Sequence, residues 1–315
     1  MILPKLAYKR AKSLEDAIRL FQKYDEKAFY LAGGTDMVPQ LKLWLHKPTA
    51  IIDLKDIGGL LGIDAHEGWL SIGANTTLFE LKSDPVVKGH FPALSESLDS
   101  TSCETLQMRG TIGGNILQNT RCLFYNKSLE WRMAKGFCFK TGGETCNVVP
   151  NGRACFANYC SDNVPSLLTL SAEVTLNGIG GERRMNLAEI FTGNGRTPFR
   201  ILLGEILTRI LIPLRKTKGA YEKIRVRDSI DYPLVNAAIS VEDGRGKLSI
   251  GAVGPVPFVY YLENMKENTV EEIVGRVHSD SRPVANTTLS AAYRKKMSRV
   301  LAKRVVAKVL QEEKS

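Results

Sequence analysis

Short apolar runs separated by polar, turn-forming residues make up most of the chain, and their spacing predicts alternating strands and helices. Ser13-Leu14-Glu15-Asp16 opens a helix with a capping-box-like start, and Ala17, Ile18 and Phe21 share one face of it. Ala28–Leu31 reads as a short apolar strand, Val38–Leu45 as a helix, Ala50–Leu54 as a buried strand and Trp69–Ala74 as a further strand. Thr77 is placed to cap a helix over Leu78–Leu81. Later, Val164–Leu170 reads as a helix and Ala172–Leu176 as a strand, while Glu205–Pro213 is a strand ended by proline. The composition shifts over Pro213–Gly219, which gives an expected division into residues 1–214 and 217–315. Strands at Tyr221–Val226, Val235–Val241 and Leu248–Val253, followed by helices, predict a small three-stranded antiparallel sheet with helices on one side.

One stretch does not follow this pattern. From residue 120 to about 160 the apolar periodicity fades, aromatic and basic residues appear, and five of the six cysteines concentrate. It reads as an insertion in a host domain.

Composition limits the function classes. At 315 residues there is room for two domains. The N-terminus has no apolar signal core, and no apolar run reaches the roughly 18 residues that a membrane span requires. The expectation is a cytoplasmic protein, where thiols stay reduced and clustered cysteines favour metal over disulfides. The net charge of +10 invites a nucleic-acid reading, but the basic residues are scattered. The densest run, from Arg294 through Lys303-Arg304 to Lys308, reads as a solvated helix face. A surface that docks an acidic protein accounts for the charge, so no nucleic acid is expected.

Two glycine turns carry the candidate chemistry: Tyr30-Leu31-Ala32-Gly33-Gly34-Thr35-Asp36 and Thr111-Ile112-Gly113-Gly114-Asn115. Strand–turn–helix units recur around them. Paired glycines let a backbone come close to a ligand and turn N–H groups toward a pyrophosphate. Thr35 adds a hydroxyl donor, and Asp36 either orients the loop or accepts from a sugar or ribityl hydroxyl. The glycines are not spaced as G-x-G-x-x-G, which argues against a Rossmann dinucleotide unit. Cys122, Cys138, Cys146 and Cys155 follow at once, spaced C-x15-C-x7-C-x8-C. Zinc ribbons and ferredoxin runs use closer pairs, so spacing suggests a metal site and leaves its identity open. Arg121, Lys127, Arg132, Lys135, Lys140 and Arg153 outnumber Glu130 and Glu144 there, which suits bound thiolates around either zinc or iron–sulfur. No histidine pairs with a nucleophile or carboxylate in a recognisable array, so no substrate chemistry is expected in this chain.

With Arg109-Gly110 before the second turn, Ser161-Asp162, Tyr221-Glu222-Lys223 with Arg225 and Arg227, and Gly251-Ala252-Val253-Gly254, these motifs resemble the FAD-binding subunits of molybdenum hydroxylases. That family includes the medium subunits of xanthine and carbon monoxide dehydrogenases, and the resemblance runs nearly end to end. It implies an α+β fold: a FAD-binding domain of the p-cresol methylhydroxylase type, then a small α+β domain. It also implies that residues 30–36 and 111–115 surround the FAD pyrophosphate and ribityl chain, flanked by Thr101 and Gln118. Asp162 would bond flavin-side hydroxyls, Leu207 would offer backbone contacts, and Lys223 would stand near the cofactor.

Ordinary members of the family lack the insertion. Residues 119–126, Gly136-Phe137-Cys138 and Glu144-Thr145-Cys146 resemble the β subunits of 4-hydroxybenzoyl-CoA reductases, where the matching four cysteines hold a [4Fe–4S] cluster. Cys103 and Cys160 fall outside that set, and Cys160 is close enough to be a spare ligand. The resemblance implies a ferredoxin donor and a dimer of heterotrimers, with [2Fe–2S] clusters and a molybdenum cofactor in partner subunits. The implied reaction is reductive dehydroxylation of 4-hydroxybenzoyl-CoA. Two alternatives remain: an oxidising hydroxylase subunit that delivers electrons to NAD or a quinone, and a basic nucleotide-binding module with structural zinc.

Overall fold

A computed structural model describes residues 3–312. Three sheets, each with its own apolar core, carry the chain. The first is parallel, with order β1–β3–β2, where β1 is Ala7–Arg10, β2 is Ala28–Leu31 and β3 is Ala50–Asp53. The helix Leu14–Lys23 covers it with Ala17 and Phe21, and Ser13 caps that helix by accepting from the Asp16 N–H.

The second sheet has five antiparallel strands in the order β4–β5–β8–β6–β7: Ile63–His66, Trp69–Gly73, Ile206–Pro213, Glu173–Gly178 and Gly181–Asn186. Its core includes Leu70, Ile72, Val174, Leu176, Ile210 and Ile212, packed on Leu94 and Leu98 of one helix and Val164 and Leu167 of another. Thr77 caps the helix Leu78–Ser83 in a full capping box with Glu80. The charged edge strand β7 has no apolar alternation to reveal it in sequence, and its arginines protect an open sheet edge.

The third sheet is antiparallel, in the order β12–β11–β10–β9: Phe258–Leu262, Arg245–Gly251, Val235–Glu242 and Lys218–Ile224. The helices Glu267–Asp280 and Ala291–Glu312 pack against it. The expected α+β class therefore holds, but this sheet has four strands, not three. The fourth, Phe258-Val259-Tyr260-Tyr261-Leu262, is a short aromatic and β-branched run just after Pro257, and it pairs along the edge of β11.

Two further expectations fail. The second glycine turn follows the short helix Glu104–Gln107, so only the first turn completes a strand–turn–helix unit. Arg294, read as part of a solvated face, is fully buried. Its guanidinium donates to the carbonyls of Leu234, Val284 and Ala252 and to Asn286 Oδ1, tying the last helix to the segment before it and to β10 and β11. Among the described residues no helix is long and apolar enough to cross a membrane.

Candidate functional site

The two glycine turns touch each other. A Cβ on Gly33 would lie 1.8 Å from the Arg109 carbonyl oxygen, and one on Gly113 would lie 2.8 Å from Ala74. These glycines therefore serve backbone-to-backbone packing as much as approach to a ligand. Gly34 has φ +79°, a conformation that glycine adopts at little steric cost. Thr111 caps the short helix Ile112–Ile116 by accepting from the Gly114 N–H at 3.1 Å.

A cavity opens on each side of this contact. The larger, about 400 Å³, is lined by residues 30–36 together with Phe29, His46, Phe199 and Leu207. The smaller, about 140 Å³, is lined by Thr101, Gln107, Asn115, Asp162, Ile230 and Tyr232. Thr35, Asp36, Thr111, Gly114 and Gln118 line both. A two-lobed space with a backbone-rich waist has the form that a dinucleotide needs, with pyrophosphate at the waist. A buried acceptor without a partner, Gln107 Oε1, belongs to a residue lining the smaller lobe, which also suits a polar ring system there. The residues present thus fit FAD.

The sequence-predicted residues divide cleanly. Tyr30, Leu31, Ala32, Gly33, Gly34, Gly113 and Leu207 line only the larger lobe, while Thr101, Asn115 and Asp162 line only the smaller. Tyr30 donates from its hydroxyl to the Gly204 carbonyl at 3.0 Å. Ile112 lines neither, because its side chain lies in the core of the five-stranded sheet. Lys223 also lines neither. It stands behind Asp162, with Nζ 2.9 Å from Oδ1. Tyr221 donates to the same oxygen at 2.8 Å. Burial pushes the Asp162 carboxyl up, and Lys223 opposes that shift. Asp162 occupies the N-cap position of the helix Asn163–Thr169, but its side chain caps nothing and faces the lobe and Lys223 instead.

Asp36 acts as an orienting residue. It accepts from Gln40 Nε2 at 2.6 Å and from the Asn119 N–H at 3.1 Å, and Arg121 reaches it at 3.4 Å. Arg121 lies over the Tyr232 ring at 3.8 Å. Burial pushes the Tyr232 hydroxyl up to about 12, against the pull of Arg121. Ile230 and Tyr232 follow β9 in a loop of which sequence reading singled out only Arg225 and Arg227; Arg227 lines the smaller lobe with them, and nothing in the spacing marks Ile230 or Tyr232 as a wall of the cavity.

Cys122, Cys138, Cys146 and Cys155 line one further small cavity with Phe124, Tyr125, Phe139 and Lys140. Four cysteines whose spacing left the identity of a metal open thus line one space. Burial pushes the Cys122 thiol up to about 11. The gap is about 20 Å³, so the side chains must turn outward to admit a cluster. Among the described residues no three Cys, His, Asp or Glu close on a single-ion centre. The donor set itself, four thiols with a cation beside them, fits a thiolate-ligated metal group. Cys160, the spare candidate, is buried and lines the smaller flavin lobe instead, with its thiol pushed up to about 12 by burial.

The insertion is tied to the flavin turns through polar groups. Lys140 Nζ donates to Asn119 Oδ1 and to the Gly195 carbonyl, each at 2.7 Å, and to Thr120 O and Oγ1. It also lies 4.6 Å from the centre of the Tyr125 ring. Burial pulls the Lys140 ammonium down to about 8, while the Cys155, Cys122 and Cys138 thiols act in the other direction. Arg132 donates to the Leu43 and Trp44 carbonyls, both at 2.9 Å. His46 is not isolated as its sequence position implied: Nε2 lies 2.9 Å from Gln40 Oε1 and 3.3 Å from the Tyr125 hydroxyl.

Comparison with known proteins places this site in a class. Residues 4–215 match the family described as the FAD binding domain in molybdopterin dehydrogenase, and the chain belongs to that family. It is similar to the FAD-binding subunit PaoB of an aldehyde oxidoreductase from Escherichia coli, with 29% identity over 91% of this chain and 92% of that one. It is also similar to the carbon monoxide dehydrogenase medium chain of Afipia carboxidovorans, with 28% identity over 97% of each. The crystal structure of a Cu,Mo-CO dehydrogenase in its cyanide-inactivated form superposes with a TM-score of 0.76 and 26% identity, covering 98% of both chains.

Proposed function

We propose that this chain is the flavoprotein subunit of a molybdenum-containing oxidoreductase and relays electrons between a partner's metal centres and an external carrier. The single observation that carries the reading is the two-lobed cavity pinched by two glycine turns, with residues 30–36 on one side and Asp162 on the other. FAD would lie across the waist, its pyrophosphate on the turns around Thr35, Thr111 and Gly114, its flavin end beside Thr101, Asn115 and Asp162, and Leu207 in the opposite lobe. FAD would supply one- and two-electron chemistry, while the chain binds it, orients it and limits its contact with water. Partner subunits would carry [2Fe–2S] clusters and the molybdenum cofactor.

Relatives named for aldehyde, glyceraldehyde, nicotinate and carbon monoxide oxidation favour the oxidising direction, in which a substrate is oxidised at molybdenum and this subunit hands electrons outward to NAD or a quinone. A second reading rests on the cysteine cavity. Residues 120–160 contribute few buried apolar side chains and leave Leu123, Trp131, Met133 and Phe137 exposed, so a bound metal group is a natural staple for the segment. A [4Fe–4S] cluster on Cys122, Cys138, Cys146 and Cys155 would make a one-electron port for an acidic ferredoxin. The reaction would then be the removal of the ring hydroxyl of 4-hydroxybenzoyl-CoA as water, taking up two electrons and two protons. A dimer of heterotrimers in the cytoplasm completes this second reading.

The test is anaerobic purification with the partner subunits, followed by iron, sulfide, zinc and flavin analysis and by assay in both directions. Flavin bleached by an oxidisable substrate, with electrons passed to NAD or a quinone, supports the first reading. About four irons in this chain and ferredoxin-driven formation of benzoyl-CoA support the second. A chain that binds no FAD overturns both.

A further inference from the structure

Gln107 belongs to neither glycine turn. It ends the short helix Glu104–Gln107 and is only 2% exposed. Main chain holds its amide: Nε2 donates to the Leu98 carbonyl at 2.9 Å and to the Thr101 carbonyl at 2.6 Å, at the C-terminal end of the helix Pro92–Ser100. Both amide protons are thereby committed. Exchanging the nitrogen and the oxygen would set an oxygen against two carbonyl oxygens, so the amide has one orientation. Its Oε1 is buried and accepts from no group among the described residues. An amide oxygen withdrawn from water without a donor is costly, and native interiors seldom leave one so. The place of the residue says what kind of donor it suits. Residues of the waist line both lobes, whereas Gln107 lines only the smaller one. It therefore lies beyond the waist, and a pyrophosphate has no donor to offer it. Leu78, Leu106 and Ile230 line the same lobe, giving apolar walls that suit a flat ring and not a chain of hydroxyls.

We propose that Gln107 is a specificity-determining residue that selects the flavin ring by accepting from its N3–H through Oε1. An oxidised isoalloxazine carries a single N–H, at N3, between two carbonyls that only accept. A fixed acceptor facing the ring edge can match that hydrogen and nothing else on the ring. The two main-chain anchors on Nε2 make the selection stringent. They keep the amide from rotating to present a donor, so a ring without a hydrogen at N3 leaves Oε1 unpaired, and a site built in this way rejects it. The inference rests on the reading that FAD spans the two lobes with its flavin end in the smaller one. It does not depend on the cysteine cavity or on the direction of electron flow.

The experiment titrates FAD and N3-methyl-FAD, in which a methyl group replaces the N3 hydrogen, onto the deflavinated complex with and without Gln107→Met. Binding is read by the quenching of flavin fluorescence. The unsubstituted complex should bind N3-methyl-FAD about a hundredfold more weakly than FAD. Gln107→Met should weaken FAD binding about tenfold and narrow the preference between the two flavins to about threefold or less. A residue that only fastened the end of the helix Pro92–Ser100 would weaken both flavins alike. An unchanged ratio in Gln107→Met would therefore overturn the proposal, as would equal binding of the two flavins by the unsubstituted complex. A complex that binds neither flavin would overturn the flavoprotein reading itself, and the selection with it. Should Gln107→Met fail to assemble, resonance Raman spectroscopy of the unsubstituted FAD complex carries the test. Exchange of the N3 hydrogen for deuterium should be about a hundredfold slower than in free FAD, and exchange at the free rate would overturn the proposal.

Discussion

The flavin cavity and the cysteine cavity lie side by side but are built on opposite plans. The first is shaped by main chain. Strand β2, the capped helix at Thr111 and the contact of Gly33 with the Arg109 carbonyl set its waist before any ligand is considered. The second is shaped by side chains on a stretch whose regular structure is limited to the helix Leu129–Lys135 and a single turn at Phe139–Thr141. Its support comes from charged groups: Lys140 on Thr120 and Gly195, and Arg132 on the Leu43 and Trp44 carbonyls. A main-chain site keeps its shape when empty; a side-chain site of this kind depends on what fills it.

The sharpest way to break this comparison is to add one methyl group to each region. Gly33→Ala would place a Cβ 1.8 Å from the Arg109 oxygen, and Gly143→Ala would place one 1.9 Å from the Phe137 oxygen. Gly33→Ala should strip FAD from the complex and cost about 3 kcal/mol or more, read as flavin per chain and a lowered Tm. Gly143→Ala should distort the cysteine cavity, lowering metal content on the proposed reading of its four thiols, and leave flavin at half occupancy or better. Equal loss of flavin in the two variants would show that the regions are not built separately.

A middle-sized effect tests the wall of the smaller lobe. Asp162→Ala leaves the Lys223 ammonium, only 4% exposed, without its carboxylate. The expected cost is about 3 kcal/mol in unfolding free energy, with weaker FAD binding. Asp162→Ala combined with Lys223→Met should recover most of the stability but not the FAD affinity. Recovery of both would mean that Asp162 serves only its ion pair.

The smallest effect concerns the loop after β9. Tyr232→Leu removes the ring beneath Arg121, and a cation–π contact of this kind contributes about 1 kcal/mol. FAD affinity should fall severalfold at most. A larger loss would make the loop part of the binding machinery and not merely its wall.

Most of the architecture was legible because it follows from apolar runs of the right length. Ala28–Leu31 is a strand, Thr77 does cap its helix, and the strand over Glu205–Pro213 begins one residue later at Ile206. What stayed hidden has a physical reason in each case. Strand β7 and strand β12 lie at sheet edges, where periodicity is weak. Arg294 looked solvated because its neighbours in sequence are lysines, yet the backbone carbonyls that surround it come from distant segments. At the site, the glycine turns were visible as motifs, and spacing could suggest that four cysteines meet. No local pattern could show that Lys140 would reach Asn119, or that Tyr232 would come to lie under Arg121. Those contacts arise only when residues far apart in the chain fold onto one another.

The contact between Gly33 and the Arg109 carbonyl also constrains redesign. Because main chain meets main chain there, any side chain placed at Gly33 would clash with the Arg109 carbonyl, so the gap where a pyrophosphate would sit cannot be tuned by substitution at the contact. An engineer seeking a different cofactor would have to work in the lobes, at Phe29, His46 and Phe199 on one side or Gln107, Ile230 and Tyr232 on the other. Such a scaffold can exchange the head groups it accepts, but it remains committed to a linker of one length.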